Sequence, residues 1–226
     1  MEFVEWEPVY EAVLADMGFD RAGDERARDR LAALTSPFEH DRLPAFAGAT
    51  VAVAGAGPSL PAEVDRAAAA DVVVAASTAA DVLREAGVAL DLVTTDLDKH
   101  AETVRTLTRE GTPVAVHAHG DNLPLVEEWV PQCDGEWLLP TTQAAPVGPV
   151  ENFGGFTDGD RAAFLADHFG AGRFVWPGWD LDDPDVSGVK RAKLDWAERL
   201  LHWLETRRGE RFPVLDGRRD GIEPVV

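Results

Sequence analysis

The sequence predicts an α/β fold: a doubly wound, mostly parallel sheet with a helical N-terminal extension and a long C-terminal helix. Three observations carry this. From Thr50 onward, short valine-rich runs alternate with helix-forming stretches, the order that builds parallel sheets. The runs are apolar throughout rather than alternating, as strands covered on both faces must be. The glycine-containing and acidic strings fall directly after the runs, at the edge of such a sheet where ligands bind.

Each element follows from local chemistry. Residues 1–45 are polar and helical: Pro8 opens one helix through Met17, Asp24 caps another to Leu34, and Ser36-Pro37 ends it. Strands are predicted at Thr50–Ala54, 71–75, 91–94 and 113–117, with helices at 61–70, 78–86 and 101–110 between them. Right-handed crossovers then give a Rossmann-like sheet. Less regular pieces follow at 136–139 and 150–153, then a helix at 159–169 and a strand at 173–176. The last helix runs from about Ser187 to Arg207, with Leu194, Ala197, Leu200, Leu201 and Leu204 on one face. No repeat or low-complexity linker interrupts the chain. The expected organisation is an extension over 1–45 and an α/β catalytic domain over 46–226, in one compact unit.

Composition narrows the function. The 226 residues carry 21 Lys+Arg against 41 Asp+Glu, a net charge of −20, while 45% hydrophobic content argues against disorder. That charge repels nucleic acid phosphates and anionic lipid, so neither is an expected partner. No apolar run approaches the roughly 20 residues that span a bilayer. The first 30 residues are acidic and lack a signal-peptide core, so a cytoplasmic protein is expected. The single cysteine, Cys133, excludes an internal disulfide framework and a Cys-rich zinc site. Only three lysines (Lys99, Lys190, Lys193) accompany 18 arginines. Abundant carboxylate with few lysines fits a protein working in concentrated salt. An acidic protein from a GC-rich genome is the alternative.

The chemistry should sit after the strands. Gly55-Ala56-Gly57-Pro58-Ser59-Leu60 follows the first, and glycines there let Gly55, Gly57 and Ser59 bring backbone N–H groups to a phosphate at a helix start. The third glycine of the dinucleotide fingerprint is absent and Pro58 removes a donor, so a plain strand-to-helix turn stays open. Thr95-Asp96-Leu97-Asp98-Lys99-His100 follows the third strand. Hard oxygens at Asp96 and Asp98 suit Mg²⁺, which bridges substrate phosphates; a solvated acidic turn is the other reading. After the fourth strand, His117-Ala118-His119-Gly120-Asp121-Asn122 allows a His₂/Asp zinc site. Asp121 as a Mg²⁺ ligand with His119 as a polar orienter fits better, and capping of the next helix by Asp121 also stays open.

Further on, Asn152-Phe153-Gly154-Gly155-Phe156-Thr157-Asp158-Gly159-Asp160-Arg161 packs glycines, aromatics and acids together. Thr157 or Asp158 caps the following helix, and the loop is mobile or closely approached, able to stack on a flat ring. Trp176-Pro177-Gly178-Trp179-Asp180 ends another strand with similar materials. The lysines after the Asp-Leu-Asp turn and in the last helix are compact point charges suited to phosphate.

Taken together, the strings beginning at Gly55, Val93, His117 and Gly155 resemble the archaeal 6-hydroxymethyl-7,8-dihydropterin diphosphokinase family. The resemblance runs from about residue 50 to Lys193, and His-Ala-His-Gly-Asp-Asn and Phe-Thr-Asp-Gly-Asp-Arg make it specific. It departs at Ala75-Ala76-Ser77-Thr78-Ala79-Ala80, where relatives tend to carry an Asp-Gly-Ala element. It implies Mg²⁺-dependent transfer of the terminal diphosphate of ATP to the hydroxymethyl group of a reduced pterin, on a fold close to thiamine diphosphokinases. On that basis Asp96, Asp98 and Asp121 are assigned to metal, with Asp158 and Asp160 as further candidates. Gly55, Gly57, Ser59, Lys190 and Lys193 are assigned to ATP phosphates, and Asn122 and Phe156 to the pterin. Both partners are small molecules; a homo-oligomer is compatible with the sequence. A thiamine diphosphokinase-like transferase and a non-catalytic nucleotide sensor stay open, and a dinucleotide oxidoreductase is disfavoured.

One expectation follows from charge alone. Molar salt shortens electrostatic reach to about 3 Å, so the melting temperature and activity should both rise steeply with salt. An unchanged melting temperature and full activity in dilute buffer would reject the high-salt reading.

Overall fold

A computed structural model of the chain describes residues 1–186 and 188–226. Two helices come first. α1 (Phe3–Met17) starts with a Glu2/Glu5 capping box and ends at Gly18, whose φ of 70° closes the helix in the left-handed region. Pro8 therefore lies inside α1 rather than at its start. α2 (Arg21–Leu34) is capped by Asp20, whose carboxylate accepts from Ala22 and Gly23 N–H. Asp24, expected as the cap, is instead buried at 3% exposure inside the helix.

The sheet begins at β1 (Thr50–Ala54), followed by a 3₁₀ turn and the short α3 (Val64–Ala68) where a longer helix over 61–70 was expected. Then come β2 (Val72–Ala76), α4 (Ala79–Glu85), β3 (Leu92–Thr95), α5 (Ala101–Glu110) and β4 (Val114–Ala118). α6 (Leu123–Trp129), the helix anticipated after Asp121, precedes β5 (Leu138–Thr142). The irregular piece at 136–139 divides into the end of a 3₁₀ turn over 135–137 and the start of β5. The piece at 150–153 forms no full strand: Glu151 makes a single bridge to Thr141, and Val150 bridges Val147. α7 (Asp158–His168), β6 (Arg173–Val175) and α8 (Gly188–Arg208) complete the chain. Ser187, the expected start of the last helix, lies outside the described residues.

All six strands are parallel, in the order β5-β4-β3-β2-β1-β6. The chain steps outward from β1 to β5, then returns through α7 to place β6 on the other side of β1. Strand residues alternate between two cores, as a period of two requires. Val51, Val53, Val72 and Val74 face α1, α7 and α8. Ala52, Ala54, Val73 and Ala75 face the layer of α2 to α6. The two N-terminal helices thus straddle the sheet, α1 in one core and α2 in the other. No helix among the described residues is long and apolar enough to cross a membrane.

Trp6 of α1 is 1% exposed, and its indole N–H donates to the Gln143 carbonyl at 2.9 Å. Trp6→Ala should cost about 3–5 kcal/mol in urea unfolding. An unchanged transition would mean that the N-terminal helices are an appendage.

Candidate active site

The switch in strand order puts a crevice between the carboxyl ends of β1 and β6. A cavity of about 560 Å³ opens there, spreading over the ends of β2, β3 and β4 toward α2 and α8. It falls within the usual size of a small-molecule site.

The glycine turn after β1 has a different purpose from the one its sequence implied. Gly55 N–H donates to Pro177 O and Gly57 N–H to Gly178 O, each at 2.9 Å, while Ser59 N–H donates to Asp180 Oδ2 at 2.8 Å. A Cβ on Gly55 would stand 2.6 Å from Gly178 O, and one on Gly57 2.3 Å from Asp180 Oδ2. The glycines therefore permit backbone to pack on backbone, and the donors assigned to phosphate are already engaged. The three-residue 3₁₀ turn that follows offers no long helix dipole. Gly55 and Gly57 still line the cavity, but Ser59 does not.

The acidic edge is built on β3. Leu97, 2% exposed with φ 67°, turns inward and leaves Asp96 and Asp98 on the cavity side. Asp98 N–H donates to Asp96 Oδ1 at 3.2 Å, a local turn. Thr94 Oγ1 donates to the Asp158 carbonyl at 2.8 Å, fixing the start of α7 beside these acids. Arg161 pairs with Asp158 at 3.1 Å, and His119 Nε2 lies 3.3 Å from Asp96 Oδ2.

These carboxylates differ in proton affinity. Burial works to raise Asp96, but the His119 hydrogen bond and the Arg161 charge outweigh it and hold the group well below the usual range. Burial and the hydrogen bond with Asp96 push Asp98 up. Burial, then the Asp96 charge, pushes Asp158 up to about 8 despite Arg161. Acids crowded so that one tends to keep its proton fit a divalent cation, which relieves the same repulsion. Among the described residues no three His, Cys, Asp or Glu side chains form a ready-made cage. That suits an ion held by one or two carboxylates, water and substrate phosphate.

Other expected site residues fall into two groups. Asp121 is exposed at the rim, and the cap position of α6 belongs to Asn122. Lys99, Lys190 and Lys193 line the cavity with Phe156. Lys193 Nζ lies 6.0 Å from the Phe156 ring centre, and Phe19 lies 6.2 Å from it on another side. Asp160, by contrast, spends its oxygens on Phe156 N–H, Thr157 N–H and the Thr157 hydroxyl, a capping box with nothing left for metal. Asn122 is 2% exposed; its amide donates to the Asp96 and His117 carbonyls at 2.7 Å and accepts from His119 N–H at 2.9 Å. It locks the 96 and 119 loops together rather than facing a pterin. His117 faces a small buried slot and contacts Thr141 Oγ1 at 3.1 Å, and burial lowers its proton affinity; His119 lines the main cavity instead, so the two rings do not face one site.

Sequence reading placed none of Arg161, Gln143, Asp24, Phe19 or Trp179 at the site, yet all line the cavity. Arg161 was visible within the Phe-Thr-Asp-Gly-Asp-Arg string, and Gln143 by its position just past a strand end. Phe19 gave no signal. The loop before α7 is closely approached: Gly155, with φ 94°, would place a Cβ 2.6 Å from Arg161 Cα.

The raised Asp158 carboxyl has a pH signature. Its usual 3.8 becomes about 8 on folding, so the folded state binds that proton more tightly. Its stabilising contribution is complete below the usual value and is lost as pH rises through about 8. Metal-free protein should lose stability over that window in urea melts, and Asp158→Asn should flatten the slope. Parallel profiles for the two proteins would reject the assignment.

Two comparisons with known proteins agree. A family profile described as "6-hydroxymethylpterin diphosphokinase MptE-like" matches residues 27–186, so the likeness begins within α2, earlier than the motifs indicated. A protein of Methanothermobacter thermautotrophicus named 6-hydroxymethyl-7,8-dihydropterin pyrophosphokinase is 40% identical, over 91% of this chain and 96% of its own. Proteins of the same name from Pyrococcus furiosus (37% identical, over 91% and 95%) and Methanocaldococcus jannaschii (28%, over 91% and 96%) are similar along the same extent.

Proposed function

As the chain belongs to the MptE-like 6-hydroxymethylpterin diphosphokinase family, we propose that it transfers diphosphate from ATP to 6-hydroxymethyl-7,8-dihydropterin. The products are AMP and the pterin diphosphate, in folate- or methanopterin-type pterin biosynthesis in the cytoplasm. The observation that carries the reading is the meeting of an acid cluster and lysines in one cavity large enough for a small-molecule pair. Asp96, Asp98 and Asp158 are the oxygen donors for Mg²⁺, with Asp121 at the rim; the ion supplies charge neutralisation for polyphosphate.

The chain's own residues do the rest. Lys190 and Lys193, in the first turns of α8, present ammonium groups to phosphate oxygens. Phe156 and Phe19, beside Lys193, offer apolar faces to a flat pterin. His119, held by its contact with Asp96, orients polar groups beside the reacting centre. In the transfer, the hydroxymethyl oxygen bonds to the β-phosphorus. The bond from that phosphorus to the α,β-bridging oxygen breaks, AMP leaves, and the hydroxyl proton is released. Such a step needs positioning and charge neutralisation more than covalent help.

Mass spectrometry of products from ATP, Mg²⁺ and the pterin tests the reaction; ADP in place of AMP, or an unmodified pterin, would overturn it. Asp96→Asn and Asp98→Asn should each lower turnover by at least ~100-fold, about 3 kcal/mol of transition-state stabilisation, with an unchanged circular dichroism spectrum. Asp134→Asn, outside the cavity at a 3₁₀ cap that Asn also serves, should match wild type. Wild-type turnover in Asp96→Asn across a Mg²⁺ titration would remove the Asp-Leu-Asp turn from the site.

A further inference from the structure

We propose that Asp24 of α2 is a positioning residue for the reaction, holding the loop that carries His119 and Asp121 and, through Gln143, the Arg161–Asp158 pair. Asp20 already caps α2, so capping does not explain a carboxylate buried at this position. Three donors from three other parts of the chain converge on it. Gly120 N–H donates to Oδ1 at 2.8 Å, while Gln143 Nε2 at 2.7 Å and the Tyr10 hydroxyl at 2.8 Å donate to Oδ2.

The first contact grips the backbone between His119 and Asp121, so it sets the direction of both side chains. The second continues inward: Gln143 Oε1 accepts from Arg161 Nη2 at 3.4 Å, and Arg161 pairs with Asp158 at 3.1 Å. His119 meets Asp96 on the opposite side of the acid cluster. Both flanks of the cluster thus lead back to one carboxylate on the N-terminal helices. Gly23, the neighbouring residue, packs on the same loop: a Cβ there would stand 3.3 Å from Gly120 Cα. Hydrogen bonds to a charged acceptor are strong, and a buried donor left unpaired is costly, so the loop has a single low-energy placement.

The inference rests on the reading of the 119–121 loop as catalytic, and three variants test it. Asp24→Asn keeps shape but turns one acceptor into a donor facing Gly120 or Gln143. Gly23→Ala replaces a helical glycine with a better helix former while pressing on Gly120. Tyr10→Phe removes a donor to the same carboxylate without touching the loop. With ATP and pterin, kcat should fall about 10- to 100-fold in Asp24→Asn and at least ~5-fold in Gly23→Ala, with both KM values within ~3-fold of wild type. Gly23→Ala should not lower the melting temperature, and Tyr10→Phe should lower it while keeping kcat. Wild-type kcat in both Asp24→Asn and Gly23→Ala would overturn the proposal, as would a rise in pterin KM alone, which would make Asp24 a substrate contact. Amide exchange at Gly120 supplies a readout that needs no substrate: it should be slow in wild type and faster in Asp24→Asn. Equal exchange in the two would overturn the positioning role. Wild-type protein that transfers nothing to the pterin would instead overturn the proposed reaction, and the exchange result would still stand on its own.

Discussion

The loops after β1 and β6 approach so closely that no side chain fits between them. Gly55 and Gly57 donate hydrogen bonds to the carbonyls of 177 and 178, and Gly178, with φ 71°, would drive a Cβ to within 2.3 Å of Gly55 O. Much of the site follows from this contact. It delivers Trp179 to a position where the indole N–H donates to Val53 O at 2.8 Å. The indole ring then occupies the space a side chain on Gly159 would need. With Gly159 under Trp179 and the Asp158 carbonyl held by Thr94, the start of α7 has one place to sit. Its first carboxylate consequently stands beside Asp96.

Charge then acts on this frame. A chain of net charge −20 places Arg161 and three lysines around the one spot where its acids are most confined. Burial raises both acids; the His119 hydrogen bond, with the Arg161 charge, holds Asp96 low, whereas burial and the Asp96 charge keep Asp158 raised despite Arg161.

The alternating pattern of the sheet was legible because it is locally encoded. Thr50–Ala54 and Ala101–Glu110 have the expected bounds, since apolar runs and helix formers speak for themselves. α6 was legible only through its expected cap, and its extent was not, because Leu-Pro-Leu-Val-Glu-Glu-Trp is short and carries a proline, acceptable only in a first turn. The acids of the Asp-Leu-Asp turn were visible as carboxylates just past a strand end, and both line the cavity. The purpose of Gly55 and Gly57 was not, because the atoms that forbid a side chain there belong to residues more than a hundred positions away. Asp24 was misread for the same reason: a capping residue and a buried acceptor look alike until Tyr10, Gly120 and Gln143 are brought around it. Asp160 was the reverse case, a residue that resembled a ligand and serves its own helix.

The first and last long helices are bonded to each other. Trp196 of α8 donates to Asp16 of α1 at 2.7 Å, and Arg207 reaches Glu5 at 3.3 Å. Phe19, just past α1, and Lys190 and Lys193 of α8 both line the cavity. These lining residues stand more than 170 positions apart in the sequence, so they share a cavity only because α8 docks on α1. A change at the Trp196–Asp16 contact, outside the cavity, would therefore reach its lining.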